Sequence, residues 1–506
     1  MLKKTFNRVR DWLIALKIRI FGKKKRSKAA LSFDLLYQLS YMAVIAAGGV
    51  PRSRIFERAA ELDCSSAEYF RTIELACKRL KYDYAQACRI IGETAPEEEI
   101  KGLLLRFANS LLSGEPEAEF LSREAKAQRE AYENEYGRKL EAMKMWTDAY
   151  VSLILAGVLV VIIGIVSTMI WKIEITVIMS MVFISVMTCA LGVWLIYIVS
   201  PKEVFVLSWA GSREQKLAQK LFKLLMPAAL AISALFMLVS TNMGTSLVAV
   251  AVLLFPLGFI MSVDDTMVRK RDAEVGTFLR SLGAVCAALG TTVNNALARI
   301  DLDAINNLRQ TVKRLHTRLG AGIRPKFSWK KFIDETGSEL ANRSVGMFYD
   351  TIEVGGSPGQ AGYQASLFAD NIALLRARRR TVTMPFRWLC MAMHVSVVVL
   401  LIFITEIIMA FAGMVTKAQE AMPSVAGAPS LGSFTSFNLS GLEVMHNMVV
   451  PLVLVFTIAD AVAPSLADGG SWYKILHNLS FTAAISGLCL IFLPVMAEAL
   501  FKSVQI

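Results

Sequence analysis

Seven stretches of mostly apolar residues constrain this chain more than any other feature: 149–171, 176–199, 224–241, 245–263, 388–414, 447–466 and 479–500. Runs of about 20 residues match the hydrocarbon thickness of a bilayer when helical. Inside lipid, backbone N–H and C=O groups must find partners within the protein, which makes each run a helix. A mean hydropathy of +0.48 agrees with this. Charge collects instead in two blocks, about 1–147 and 264–387. The expected fold class is all-α: a polytopic helical membrane protein with two repeated cytoplasmic helical-bundle domains.

The connections set the expected orientation. Residues 200–223 hold Lys202, Arg213, Lys216, Lys220 and Lys223, whereas the opposite-side connections hold only Lys172 and Lys417. Excess Lys and Arg marks cytoplasmic loops. Both charged blocks, the N-terminus and the 200–223 connection are therefore expected in the cytoplasm. Seven spans then put Ile506 outside. The division is 1–30, a basic N-terminal segment; 31–147, a first helical domain; 148–263, four spans; 264–387, a second helical domain; and 388–506, three spans with an external loop at 415–446.

In residues 3–21, Phe6, Val9, Leu13, Leu16 and Ile20 fall at helical steps among Lys3, Lys4, Arg8 and Arg10. Arg10, Asp11, Lys17 and Arg19 interrupt the apolar core that a signal peptide needs. Two readings stand: a helix lying on membrane lipid, or one packed on its own soluble domain.

The two blocks parse alike, as about six helices each. In the first, Ser32 opens a helix ending at Gly48-Gly49, Ser65 with Glu68 makes a capping-box pattern, and Pro96 and Pro116 start later helices. In the second, breaks fall at Gly290, Gly320-Ala321-Gly322 and Gly355-Gly356, and Ser328 is expected to cap a helix over 329–336. Gly114-Glu115-Pro116 and Gly356-Ser357-Pro358 each open a long polar helix that runs into an apolar span. This reads as an internal repeat.

Chemistry-bearing motifs are missing. The sequence holds no GxxxxGK[ST], HExxH or dinucleotide fingerprint, the GxSxG spelling at Gly355-Gly356-Ser357-Pro358-Gly359 falls in a break between two helical patterns with no strand before it, the seven cysteines form no CxxC, and the four histidines show no metal-ligand spacing. No catalytic residue, cofactor or metal is expected. The net charge of +13 fits the cytoplasmic bias, and no nucleic-acid recognition motif accompanies it. Glu406 and Asp460 stand inside apolar spans. Each costs roughly 2.5–3.5 kcal/mol near a helix centre, so both should face other helices. They read as protonated or hydrogen-bonded packing residues, with a site for a polar partner or a proton as the other reading. Asp460, near the inner end of its span, is also within reach of the interface. Pro385 and Pro464 read as helix boundaries, and Pro256 as a kink.

Ala46-Ala47-Gly48-Gly49-Val50-Pro51 and Ser113-Gly114-Glu115 resemble the cytoplasmic domain of the type II secretion F family. The stretch from Ala287-Ala288-Leu289-Gly290-Thr291 through Val354-Gly355-Gly356 is a looser second copy. Two such domains, each followed by spans, resemble the membrane platform proteins of the archaellum and of archaeal type IV pili. Bacterial members typically have three spans, so seven fits the archaeal type better. The resemblance implies an assembly platform that couples a cytoplasmic hexameric secretion ATPase to insertion of pilin- or archaellin-like subunits into a filament. A homodimer is compatible with it. Aligned on Gly-x-Pro, Ser357 stands where the first copy has Glu115, and Gly359 where it has Glu117. An acidic contact role at that corner therefore does not carry to both copies. Arg52, Arg54, Arg324, Lys326, Lys330 and Lys331 are the candidate contacts with acidic surfaces of the ATPase. A competing class is a transporter or channel using Glu406 and Asp460. A membrane-tethered scaffold without a motor is a third.

Overall fold

The computed structural model describes residues 28–171, 173–207, 211–239, 243–421 and 439–504. Segment 3–21 and residues 422–438 of the external loop lie outside the described residues. The described residues form helices and connections, with no strand and an isolated antiparallel bridge between Val206 and Ser338. The chain divides into two compact units. The first takes Met1–Arg138, Pro201–Ser212 and Met267–Ala377; the second takes Lys139–Ser200, Arg213–Thr266 and Arg378–Ile506. The first unit thus gathers residues from both charged blocks and from the connection that the charge bias assigns to the same side.

In the first unit come α1 (Lys28–Ala47), α2 (Arg52–Glu61), α3 (Ala67–Leu80), α4 (Tyr84–Thr94), α5 (Glu98–Ser113) and the start of α6 (Glu117–Ile170). The span helices α7 (Ile175–Val199) and α8 (Arg213–Val239) follow in the chain, and α9 (Met243–Leu289) re-enters the first unit at its C-terminal end. Then come α10 (Val293–Leu297), a 3-10 turn at Asp303–Ile305, α11 (Arg309–Gly320), α12 (Pro325–Thr336), α13 (Glu339–Glu353) and the start of α14 (Pro358–Ala421).

The two long helices open from matching corners. Gly114 stands at φ +74° and Gly355 at φ +86°, where a side chain would be strained. In each case the next residue's N–H reaches back five residues: Glu115 to the Ser110 carbonyl at 3.2 Å, Gly356 to the Thr351 carbonyl at 2.8 Å. That closes the helix with a Schellman-type end, and a proline then pre-sets the new helix. The backbone therefore pairs Gly114 with Gly355, not with Gly356 as the Gly-x-Pro spacing suggests. One extra residue precedes Pro358.

Local expectations gave way elsewhere. No capping box forms at Ser65. The N-cap of α3 is Ser66, which makes no cap bond, and the Ser65 N–H instead donates to Asp34 at 2.8 Å. A partner from α1 replaces the local one. Ser328 is not a cap either: α12 begins earlier, with Pro325 in its first turn, and Ser328 is buried.

Aromatic rings fill the interior of the first unit. Phe56 stacks on Phe107 at 5.2 Å, and Phe107 on Phe120 at 4.9 Å. Each buried phenylalanine contributes about 1.5–3 kcal/mol. On the other side of α1, Tyr41 donates to Asp350 at 2.9 Å, and Arg343 lies 4.8 Å from the Phe33 ring and 4.6 Å from the Tyr37 ring. The end of α1 then touches the α13–α14 corner, where the Ser357 N–H donates to the Gly48 carbonyl at 3.1 Å.

The second unit holds the spans. Six helices are long and apolar enough to cross a membrane among the described residues: Glu117–Ser167 of α6, α7, α9, Pro358–Met414 of α14, and parts of α15 (Leu439–Asp468) and α16 (Lys474–Val504). The remaining predicted span, 224–241, occupies the end of α8 and runs into residues outside the described set. Enclosure singles out α15, with 61% of its apolar window buried against 22% in α7. Pro385 and Pro464 do not end helices as expected, because α14 and α15 continue past them. Neighbouring helices can satisfy the backbone carbonyls that such prolines release.

A Cβ on Gly48 would meet Thr351 Cγ2 at 2.8 Å and Gly356 Cα at 3.1 Å. Gly48→Val is therefore expected to destabilise the first unit by about 1–3 kcal/mol through overpacking. Thermal unfolding of the purified chain in detergent measures it, with the half-buried Gly102→Val, whose Cβ would meet only the end of the Arg106 side chain at 3.2 Å, as a control.

Candidate functional site

The six basic residues singled out above fall in two separate places. Arg52 pairs with Glu117, and the exposed Arg54 pairs with Glu57 at 2.8 Å. Glu57 also takes Lys78 at 3.0 Å, and its carboxyl is held below the usual range chiefly by hydrogen bonds from Lys78 and Arg54. Arg52 and Arg54 are thus partly neutralised by their own chain.

Arg324, Lys326 and Lys330 lie exposed around the start of α12, beside the exposed side chains of Ile323 and Phe327. Lys331 is half-buried, 5.5 Å from the Phe327 ring centroid and 3.8 Å from Asp334. Cations at a helix N-terminus oppose the dipole, so Arg324 and Lys326 do nothing for the helix. They add to a local positive field around a small apolar patch. Among the described residues, no hydrogen bond or ion pair joins this patch to Arg52 or Arg54.

A second site in the first unit was not expected. Arg376 is 7% exposed; its guanidinium donates to Asp272 at 2.7 Å, Glu203 at 3.0 Å and the Val204 carbonyl at 3.2 Å. It also lies 4.5 Å from the Phe205 ring. Ser338 donates to Asp272 and accepts from the Ala341 N–H at 3.2 Å, capping α13. The Leu207 N–H donates to the Gly337 carbonyl, and the Glu339 N–H to the Phe205 carbonyl, each at 3.3 Å. The connection between two spans is thereby fastened into the first unit. Positive-inside reasoning treats Arg376 as one of a run of surface charges. The missed signal is spacing: Ile372, Arg376, Arg379 and Thr383 share one face of α14, and all four are buried.

Beyond Arg376, the same face lies in the second unit. Arg379 donates to the Ala467 carbonyl at 2.8 Å and the Leu466 carbonyl at 3.0 Å, closing the end of α15. Thr383 donates to Asp468 at 3.2 Å, and Lys474 bridges Asp468 and Asp265.

The two intramembrane carboxylates part company. Asp460 is 5% exposed and accepts from Tyr150 Oη at 2.8 Å, with His394 Nδ1 at 2.9 Å. Cys390 Sγ lies 3.6 Å from the same carboxylate, and His394 Nε2 is 3.0 Å from Ser486 Oγ. Glu406 is half-buried, with His446 at 3.9 Å. It stands twelve residues beyond His394 on α14, about 18 Å along the helix. The polar-pathway reading needs the two carboxylates to share a route, and among the described residues they share no hydrogen-bond partner.

Comparison with known proteins follows the architecture. No family model matches the chain, and no solved structure matches it. Flagella accessory protein J of Methanococcus voltae is 23% identical over 456 residues, covering 86% of this chain and 79% of that protein. Flagella accessory protein J of Methanocaldococcus jannaschii is 24% identical over 424 residues, covering 79% and 72%. The chain is a distant homologue of flagella accessory protein J. The resemblance drawn from Ala46–Pro51 and Ser113–Glu115 therefore holds. With six candidate spans among its described residues, this homologue of accessory protein J is a multi-pass membrane protein.

Two expectations follow from the first unit. Arg376→Met leaves Asp272 and Glu203 buried without their cation, and should cost about 3–5 kcal/mol. Adding Asp272→Asn and Glu203→Gln should recover part of that loss in the same thermal assay. The second concerns Asp350, whose carboxyl is pushed above the usual 3.8 chiefly by burial, against the opposing hydrogen bond from Tyr41. A raised native value means the folded state binds the proton more tightly, so this group favours folding in acid and that contribution is lost as pH rises. Asp350→Asn keeps an acceptor for Tyr41. It should be at least as stable as the parent at neutral pH, with the difference shrinking as the pH falls through the carboxylate range.

Proposed function

We propose that the chain is the membrane assembly platform of a type IV pilus-like filament machine of the archaellum kind. In this role it couples a cytoplasmic secretion ATPase to the insertion of pilin-like subunits. The observation that carries the reading is the pair of matching corners: a left-handed glycine, a proline, then one unbroken helix from the first unit into an apolar span, at Gly114 and again at Gly355. The distant homology to flagella accessory protein J supports it.

The helix order before each corner supports a duplicated soluble domain. In both halves a helix ends near a left-handed glycine, short helices follow, and a longer one leads to the corner. By the charge bias, the N-terminus and the first unit face the cytoplasm. Force applied there would pass along α6 and α14 without crossing a loop. The motor supplies the energy, so the platform needs stiff levers and a charged docking surface rather than a nucleotide site. The α12 patch suits an acidic partner, because long-range attraction speeds encounter and makes binding salt-sensitive. Arg52 and Arg54, already paired with glutamates, are weaker candidates for the same contact.

Arg324→Glu with Lys330→Glu should weaken co-purification of the ATPase at low salt and flatten its dependence on salt, while membrane insertion stays normal. Unchanged co-purification would remove the α12 patch from the interface.

A further inference from the structure

We propose that Asp460 and His394 form a proton-binding site inside the span unit: the pair holds one proton more than a carboxylate beside a neutral imidazole. Hydrogen-bond polarity fixes the count. Thr457 Oγ1 lies 2.7 Å from the Val453 carbonyl, which can only accept, so Thr457 donates there. The same oxygen lies 2.7 Å from Ser486 Oγ. With its single hydrogen spent, Thr457 accepts and Ser486 donates. Ser486 in turn has no hydrogen left, so it accepts from His394 Nε2 at 3.0 Å. The Thr482 carbonyl, 3.2 Å from that nitrogen, also can only accept. Two neighbours thus require a hydrogen on Nε2.

The other ring nitrogen, Nδ1, faces Asp460 Oδ2 at 2.9 Å. A neutral ring protonated on Nε2 presents a lone pair there, and a carboxylate presents another. At that distance a hydrogen lies between them. Either His394 is an imidazolium beside a carboxylate, or Asp460 is a carboxylic acid donating to Nδ1. Both forms have no net charge and the same proton count.

The surroundings suit a neutral pair. Tyr150 on α6 donates to Asp460 Oδ1 at 2.8 Å, and Cys390, one turn before His394 on α14, lies 3.6 Å from the same oxygen. Cys189 on α7 is a further titratable group within electrostatic reach of Asp460. Asp460 and His394 are both almost wholly enclosed. Removing the proton would leave a net negative charge in that interior, which is costly without a cation beside it. The bound proton closes a hydrogen-bonded chain from α6 through α15 and α14 to α16. This assignment is independent of the filament role proposed above.

The test is solid-state NMR of the full chain in lipid bilayers at neutral pH, with nitrogen-labelled histidine and carboxyl-labelled aspartate. The chain has four histidines, so His316→Gln, His446→Gln and His477→Gln identify the His394 signals by elimination. The Asp460 carboxyl is picked out by its dipolar contact to that ring, and neither Asp460 nor His394 has to be altered. A ring protonated on Nε2 is expected in every case. It should show either a second proton on Nδ1 beside a carboxylate, or a bare Nδ1 beside a carboxylic acid. A ring protonated on Nδ1 alone, or a bare Nδ1 facing an ionised Asp460, would overturn the assignment.

Discussion

The buried face of α14 is the constraint on which the rest depends. Arg376, Arg379, Thr383, Cys390 and His394 follow one another at helical steps, and each is enclosed. A polar group taken out of water is tolerated only when it finds a partner. Each of these therefore dictates what packs opposite. Arg376 calls for the carboxylates of Asp272 and Glu203, Arg379 for the open carbonyls at the end of α15, Thr383 for Asp468, and His394 for Asp460. An apolar face can slide by a turn and still be buried. A face carrying these groups has one register.

The other long helix uses different chemistry at the same pitch. Tyr132, Tyr136, Leu140, Met143, Thr147, Tyr150 and Ile154 are buried on α6 at steps of three and four. Tyrosine combines a large apolar body with a hydroxyl that needs a partner when enclosed. At Tyr150 that partner is Asp460. The two helices open from the same kind of corner, yet one relies on aromatic bulk and the other on charge. Corners of the same backbone form do not require the same side-chain contacts: paired on their left-handed glycines, Glu115 stands opposite Gly356, which has no side chain.

Features set by local chemistry were legible in the sequence. Apolar runs, left-handed glycines and helix-opening prolines act within a few residues, so the six candidate spans found among the described residues could be read directly, as could both corners, the second to within one residue. What could not be read is pairing across the chain. Arg376 and Glu203 are 173 residues apart, and His394 and Asp460 are 66 apart. No local pattern distinguishes Arg376 from its exposed neighbours Arg378 and Arg380 except its position on the helical face. Counting basic residues for orientation hid that distinction, because the count treats every arginine in a run alike. The capping pattern at Ser65 failed for a related reason: Asp34, from another helix, serves that N–H instead.

Pro464 shows how a local rule and a distant contact act together. In an unbroken helix the Asp460 carbonyl would accept from the N–H four residues on, and proline has none. Read alone, that predicts a helix end. Yet α15 continues to Asp468, and Cys390 Sγ lies 3.7 Å from the freed carbonyl. The same cysteine also approaches the Asp460 side chain. The proline thus exposes a second acceptor at the residue that already carries the buried carboxylate, and α14 supplies donors to both. Removing the proline would repair the helix and weaken the reason for Cys390 to face it. At this point in the chain, the apparent defect in one helix is part of what holds it to its neighbour.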